Sequence, residues 1–231
     1  MVTNDFDNRK DGTMLNGNAP EHRRETAVPG VEIRRAYPED APFIAESVLA
    51  AMGYEEGGMI ELGGNKDTAS DASLPQIRSY EQVRLALEEA AARPDTLYSY
   101  RNVHIATYGG DVAGVMVGYD GAGYREMATL TFGLIAEKLG VEPFNPGEET
   151  REGEYYLDSL YVDRKFRGHS VGSILMRNEL SVAEGLGFRT VSLIVDKEKP
   201  WLHRLYARLG FREDGDVIFF GEPYLRMIQE I

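Results

Sequence analysis

Residues whose types and spacing could do chemistry concentrate between Tyr155 and Gly172. Tyr155-Tyr156-Leu157-Asp158-Ser159-Leu160-Tyr161-Val162 is aromatic and β-favouring apart from one acid. A carboxylate in such a strand needs a partner or a job, because burying it unpaired is costly. Asp158 is therefore a candidate general base, and equally a candidate acceptor of a backbone or tyrosine hydrogen bond. The strand empties into a basic turn, Arg164-Lys165-Phe166-Arg167-Gly168-His169-Ser170-Val171-Gly172. Apolar residues then fall at Val171, Ile174, Leu175, Val182 and Leu186, which is helical spacing. A strand that enters a helix through a basic glycine turn builds an anion site. The first helical N–H groups have no intrahelical acceptor, and the helix dipole favours negative charge there. An ordinary βα connection with surface arginines fits the same residues, and the loop alone does not decide.

The rest of the chain must position this stretch. Val31 to Ala36 reads as a strand, and Pro38-Glu39-Asp40 opens a helix with the apolar stripe Ala41, Ile44, Ala45, Val48, Leu49 and Met52. Residues 53–73 read as a loop. Its Gly63-Gly64-Asn65-Lys66 lacks the Gly-Lys-Ser/Thr ending of a P-loop. Ser79 caps a helix running to Arg93, with Val83, Leu85 and Leu87, and Pro94 stops it. Val103 to Tyr108 and Val112 to Tyr119 form a hairpin around Gly109-Gly110-Asp111. Arg125 to Leu139 is helical by spacing (Met127, Leu130, Leu134, Ile135, Leu139), and Val141 to Gly153 is an acidic Pro/Gly loop. Thr190 to Val195 is a strand, Trp201 to Leu209 a short helix, and Phe211 to Phe220 and Tyr224 to Ile228 are closing strands. This order predicts an α/β (α+β) fold, a single domain with a mixed, twisted central sheet flanked by helices.

Composition narrows the function classes. A chain of 231 residues can bury a sizeable core, and no stretch has the apolar length of a membrane span or the pattern of a signal peptide. There is no cysteine, hence no disulfide framework and no thiolate nucleophile, and the cytoplasm is the expected location. The four histidines are scattered without ligand spacing, so no metal is expected. A net charge of −13 argues against nucleic-acid binding. Yet Asp163 to Arg208 holds nine Lys/Arg against five Asp/Glu, a basic strip suited to a small anionic ligand. Residues 1–30 are polar and aperiodic, a mobile or partner-docking arm; residues 31–231 form the domain, with insertions near 54–94 and 121–152. With that arm and those insertions, a homodimer is a reasonable expectation.

Leu160-Tyr161-Val162, then Arg167-Gly168-x-x-x-Gly172, then a strand, then Leu205-Tyr206-x-x-x-Gly210-Phe211 resembles the GNAT superfamily of acyl-coenzyme A-dependent N-acyltransferases. The resemblance is carried by Glu154 to Phe211, and the flanking elements fit it from Val31 to Ile231. It implies acetyl-coenzyme A as acyl donor, with contacts from Leu160, Tyr161, Val162, Arg167, Gly168, His169, Ser170, Val171, Gly172, Ser173 and Arg204. Backbone N–H groups of Arg167 to Ser173 would hold the pyrophosphate. The edges of Leu160 and Val162 would pair with the pantetheine amides, and the Val162 N–H would polarise the thioester carbonyl. Arg164, Lys165 and Arg204 would screen the remaining phosphate. Tyr206 would be the acid that protonates the leaving thiolate. This chain departs from the family pattern at Ser170, where glycine is usual, and at Lys199 and Leu202, where asparagine and alanine are usual.

The acceptor implied is an amine on a small molecule or a peptide. Acid-rich residues 53–73 and 120–154, with Glu222, suggest that it is cationic, although acidic loops are also simply solvated. Strand alternation would put Tyr156, Asp158, Leu160 and Val162 on one face. His104 and Glu154 are weaker candidate bases. Two rival functions remain: a non-catalytic acyl-coenzyme A sensor of the same fold, and a nucleotide-binding protein.

Overall fold

Local side-chain chemistry sets the helix starts. Asp40 accepts the Tyr37 N–H at 2.8 Å and an Arg34 Nη at 2.7 Å, so α1 (Ala41–Met52) begins on a fixed turn. Gly53 ends it at φ 91, the left-handed conformation that glycine adopts without a Cβ penalty. Ser79 and Gln82 form a capping box at the head of α2 (Tyr80–Ala91). The computed structural model describes residues 30–62 and 76–231, so the arm before Gly30 and the Gly63-Gly64-Asn65-Lys66 segment lie outside the described residues.

The remaining elements are β1 (Val31–Arg35), β2 (Met59–Leu62), β3 (Gln76–Ser79), β4 (Val103–Tyr108), β5 (Asp111–Asp120), α3 (Tyr124–Leu139), β6 (Glu154–Val162), α4 (Val171–Gly185), β7 (Thr190–Asp196), α5 (Pro200–Arg208), β8 (Arg212–Phe219) and β9 (Glu222–Glu230). Seven strands form one sheet in the order β1-β4-β5-β6-β7-β9-β8, and β2 and β3 form a separate hairpin. Every pairing in the large sheet is antiparallel except β6 with β7. Apolar residues of α1, α2 and α3 make one core on one face of the sheet, and those of α4 and α5 make a second on the other.

Two sequence expectations change here. Residues 53–73 are not all loop: Met59 to Leu62 alternates exposed and buried and pairs antiparallel with β3. Four residues are too few to stand out as a period. Leu85 and Leu130 are exposed, and the buried faces of their helices run instead through Val83, Ala86, Leu87 and Ala90 and through Ala128, Thr131, Phe132 and Ile135. Small alanines fill the space where helices cross, which a search for large apolar residues overlooks.

Candidate active site

The centre of the sheet carries a fault that organises the site. Between β5 and β6 the register shifts: Met116 pairs with Leu160 but Gly118 with Leu157, so two residues, Asp158 and Ser159, face one. This is a β-bulge. It reverses the side-chain parity of β6. Tyr155, Leu157, Leu160 and Val162 all lie in the core under α4 and α5, whereas Tyr156 lies in the opposite core with Tyr161 packed on it. The expectation that Tyr156, Asp158, Leu160 and Val162 share a face is therefore wrong, because strict alternation fails where an extra residue enters the strand. Asp158 and Ser159 both line a cavity on the α1–α3 side.

On its other edge β6 parts from β7. The two pair only through Glu154, Tyr155 and Tyr156, although β6 continues to Val162 and β7 to Asp196. The Asp163 N–H donates to Ala113 of β5 at 2.9 Å. Since N–H groups alternate sides along an extended strand, those of Val162 and Leu160 point into the gap. A split between parallel strands thus exposes a strand edge able to pair with an amide-bearing chain.

The gap leads to the basic turn. Arg167 Nε donates to Val162 O at 3.2 Å, folding the turn back on the end of β6. Nδ1 of His169 lies 3.0 Å from Arg167 O, and its ring packs on Tyr108 at 4.7 Å. Gly168 (φ 80) and Ser170 (φ 62) are both left-handed, and Ser170 is the N-cap of α4 without a side-chain capping bond. The first bond of the helix, Ile174 N–H to Ser170 O, leaves the preceding N–H groups aimed at the mouth of the turn. Val171 and Gly172 are buried and anchor the helix start, while Gly168, His169 and Ser170 are exposed. This cradle of glycine, outward N–H groups and helix dipole fits a pyrophosphate.

The cavity has a volume of about 410 Å³, within the range of small-molecule sites. Asp158 and Ser159 of β6 and Ile194 of β7 line it, so it opens on the gap between the strands. Asp158 accepts hydrogen bonds from Tyr119 Oη at 2.8 Å and Ser159 Oγ at 2.7 Å. Burial raises its pKa, and those two donors pull it partly back. Beside it, Glu149 accepts the Tyr156 hydroxyl at 2.5 Å, and burial followed by the Asp158 charge pushes its pKa well up. A buried acid, Glu149, and a half-buried one, Asp158, therefore meet one cavity.

A model of the acetyltransferase (GNAT) family matches residues 75–211, more than half the chain. The chain belongs to the GNAT acetyltransferase family. Its sequence is 33% identical over 75 residues to an uncharacterized N-acetyltransferase of Methanocaldococcus jannaschii, covering 32% of this chain and 31% of that relative. It is 26% identical over 85 residues to spermine/spermidine N(1)-acetyltransferase of Bacillus subtilis, covering 36% of this chain and 55% of that one. The matched region thus spans between a third and about half of these relatives. A solved structure described as an acetyltransferase aligns at 30% identity and a TM-score of 0.66, covering 87% of this chain and 99% of the other.

Within this GNAT fold the predicted residues divide. Leu160, Val162 and Tyr206 come together in one core, with the Tyr206 ring edge-on to Phe211 at 5.8 Å. Tyr161 turns the other way, edge-on to Phe43. Arg204 is exposed on α5, and Arg164 is exposed with a 3.4 Å contact to Glu55. Both weaker base candidates are spent elsewhere. His104 Nδ1 lies 2.5 Å from buried Glu179 of α4, and Glu154 pairs with buried Arg226. Neither lines the cavity. Among the described residues no cluster could hold a metal ion, and no helix is long and apolar enough to cross a membrane.

Glu149 was missed. It sits in an acidic loop where seven other acids of residues 120–154 surround it in sequence, and nothing local marks it as the buried one with a tyrosine partner. Folding raises its pKa above the unfolded value, so the unfolded chain releases this proton first. Its contribution to stability therefore falls as pH rises from the ordinary glutamate range through the raised value. Glu149→Gln should gain stability relative to the parent over that interval and lose the advantage below about pH 4, checked by urea unfolding across pH.

Ser170 supplies a second prediction. Left-handed backbone costs a residue with a Cβ about 1–2 kcal/mol, against which glycine loses some entropy. Ser170→Gly should stabilise the GNAT domain by about 0.5–1 kcal/mol and keep or improve acetyl-coenzyme A affinity, read by thermal shift with and without the ligand. A large loss of affinity would instead make the hydroxyl a phosphate ligand.

Proposed function

We propose that this chain transfers an acetyl group from acetyl-coenzyme A to a primary amine by direct attack. The observation that carries the reading is the parting of β6 from β7: the exposed edge runs from the glycine turn at one end to the Asp158 cavity at the other. Outward N–H groups between Arg167 and Ser173 hold the pyrophosphate, and the Leu160 and Val162 N–H groups hold the pantetheine arm and polarise the thioester carbonyl. A donor so placed contributes roughly 3–4 kcal/mol to such reactions. The bound thioester supplies an activated acetyl group and a thiolate leaving group.

Asp158, kept basic by its raised pKa, takes a proton from the incoming amine directly or through a water. The amine nitrogen forms the new N–C bond as the C–S bond breaks. Of the two protons that an ammonium gives up, one leaves through Asp158. Tyr206 gives its proton to the departing sulfur and is refilled by the other. With no cysteine, the chain offers no thiolate to form a covalent enzyme intermediate. The Bacillus subtilis relative is named for amine acceptors, which supports an amine here. The acids that meet the acceptor are Asp158 and Glu149, with Glu61 and Glu222 further along the lining, and not Glu55 and Glu56.

The test combines thermal shift with acetyl-coenzyme A, coenzyme A, ATP and NAD and a thiol-release assay over an amine panel. Stabilisation by acetyl-coenzyme A and equal yields of thiol and acetylated amine are expected. Stabilisation without turnover by any amine would make the protein a sensor.

A further inference from the structure

If acetyl transfer to an amine is the reaction, the walls of the acceptor cavity narrow which amine. Asp158 and Glu149 lie where β6 opens on the gap, so the reacting nitrogen is held at that end. Away from them the walls come from three helices: Leu49 of α1, Val83 and Leu87 of α2, and Phe132 and Ile135 of α3. All five are buried core residues. Tyr54, Phe219 and Tyr224 add aromatic faces. Among the described residues that line the cavity there is no lysine, arginine or histidine, and the two further acids, Glu61 and Glu222, are on exposed positions.

We propose that the acceptor is a small primary amine with one cationic head and an apolar alkyl or aryl body. The head lies between Asp158 and Glu149, with ring faces nearby that favour a cation. The body lies along the helix residues, where a hydroxyl, a carboxylate or a second ammonium would be buried without a partner. A carboxylate-bearing acceptor is opposed further, because every charged lining residue is acidic. Glu61 and Glu222, being exposed, hold a second cation only weakly. Polyamines and amino acids are therefore poor acceptors, and apolar monoamines good ones.

Matched amines on the unaltered protein test this. Thiol release and product mass give kcat/KM for propylamine, butylamine, pentylamine and hexylamine, for 2-phenylethylamine, and for 1,6-diaminohexane, 6-aminohexanoate and spermidine. Expected is a rise of about four-fold per methylene along the alkyl series. Hexylamine should exceed diaminohexane and 6-aminohexanoate roughly 10- to 100-fold. Met52→Glu places an acid on the half-buried edge of the apolar wall and should narrow the hexylamine-to-diamine ratio by about ten-fold. A diamine or spermidine equal to or better than hexylamine overturns the inference while leaving acetyl transfer intact, and so does an unchanged ratio in Met52→Glu. Binding of acetyl-coenzyme A with no acetylation of any amine overturns the transfer reading, and this inference with it.

Discussion

Tyr206→Phe is expected to lower kcat about 100-fold or more while acetyl-coenzyme A affinity stays within about two-fold. The phenol is only 3% exposed, on α5, in the same core as Leu160 and Val162, whose N–H groups face the gap. Burial raises its pKa, so the hydroxyl keeps its proton at neutral pH and has it ready when negative charge develops on sulfur. Phenylalanine keeps the ring and its edge contact with Phe211, so folding and ligand binding should change little. Steady-state kinetics with saturating amine, beside a ligand titration by thermal shift, separate the two effects. An unchanged kcat would mean that the thiolate departs without this proton, through water or rate-limiting product release. A matching loss of affinity would make Tyr206 a packing residue of the gap.

Arg226→Ala and Arg226→Met are both expected to cost about 3–5 kcal/mol of stability, the methionine variant at the lower end because it keeps the volume filled. The Arg226 side chain is 2% exposed and bridges Glu154 of β6, itself 11% exposed, and Asp214 of β8. Truncation to alanine leaves buried Glu154 without its guanidinium, while Asp214 keeps Arg151 at 3.3 Å, and opens a cavity. Methionine fills the volume, so most of what it loses is the ion pairing. Glu154 is also where β6 still pairs with β7, opposite Thr190, so this network closes the end of the gap beyond which the strands part. Urea unfolding of both variants measures the cost, and acetyl-coenzyme A titration of the methionine variant reports whether the gap keeps its shape. A loss below about 1 kcal/mol in Arg226→Ala would show that the corner is held by packing instead.

Legibility in the sequence tracked how local each interaction is. The α4 turn, Ser79 before Gln82, and the glycines after α1 and α3 act within a few residues, and their elements lie within one or two residues of where the pattern puts them. Tyr206 could be placed because its motif follows the glycine turn at a recognisable distance. The short β2–β3 hairpin, by contrast, exists only because two four-residue strands pair across an intervening segment. Leu85 and Leu130 show the limit of counting apolar residues, since which helical face is buried depends on what packs against it.

By itself the sequence determined the order of strands and helices apart from the β2–β3 hairpin, the anion-binding turn, the absence of cysteine chemistry and the resemblance that named an acyl donor. Each of these rests on neighbours in the chain. Only the tertiary structure decided that the parity of β6 reverses at Asp158–Ser159, since a bulge is defined by the partner strand and not by the bulged one. It also decided that His104 and Glu154 are engaged away from the cavity, and that Glu149, ordinary in its acidic loop, is buried against Tyr156 beside Asp158. Burial and pairing are properties of surroundings assembled from distant segments, and they are what turns one of many carboxylates into part of a site.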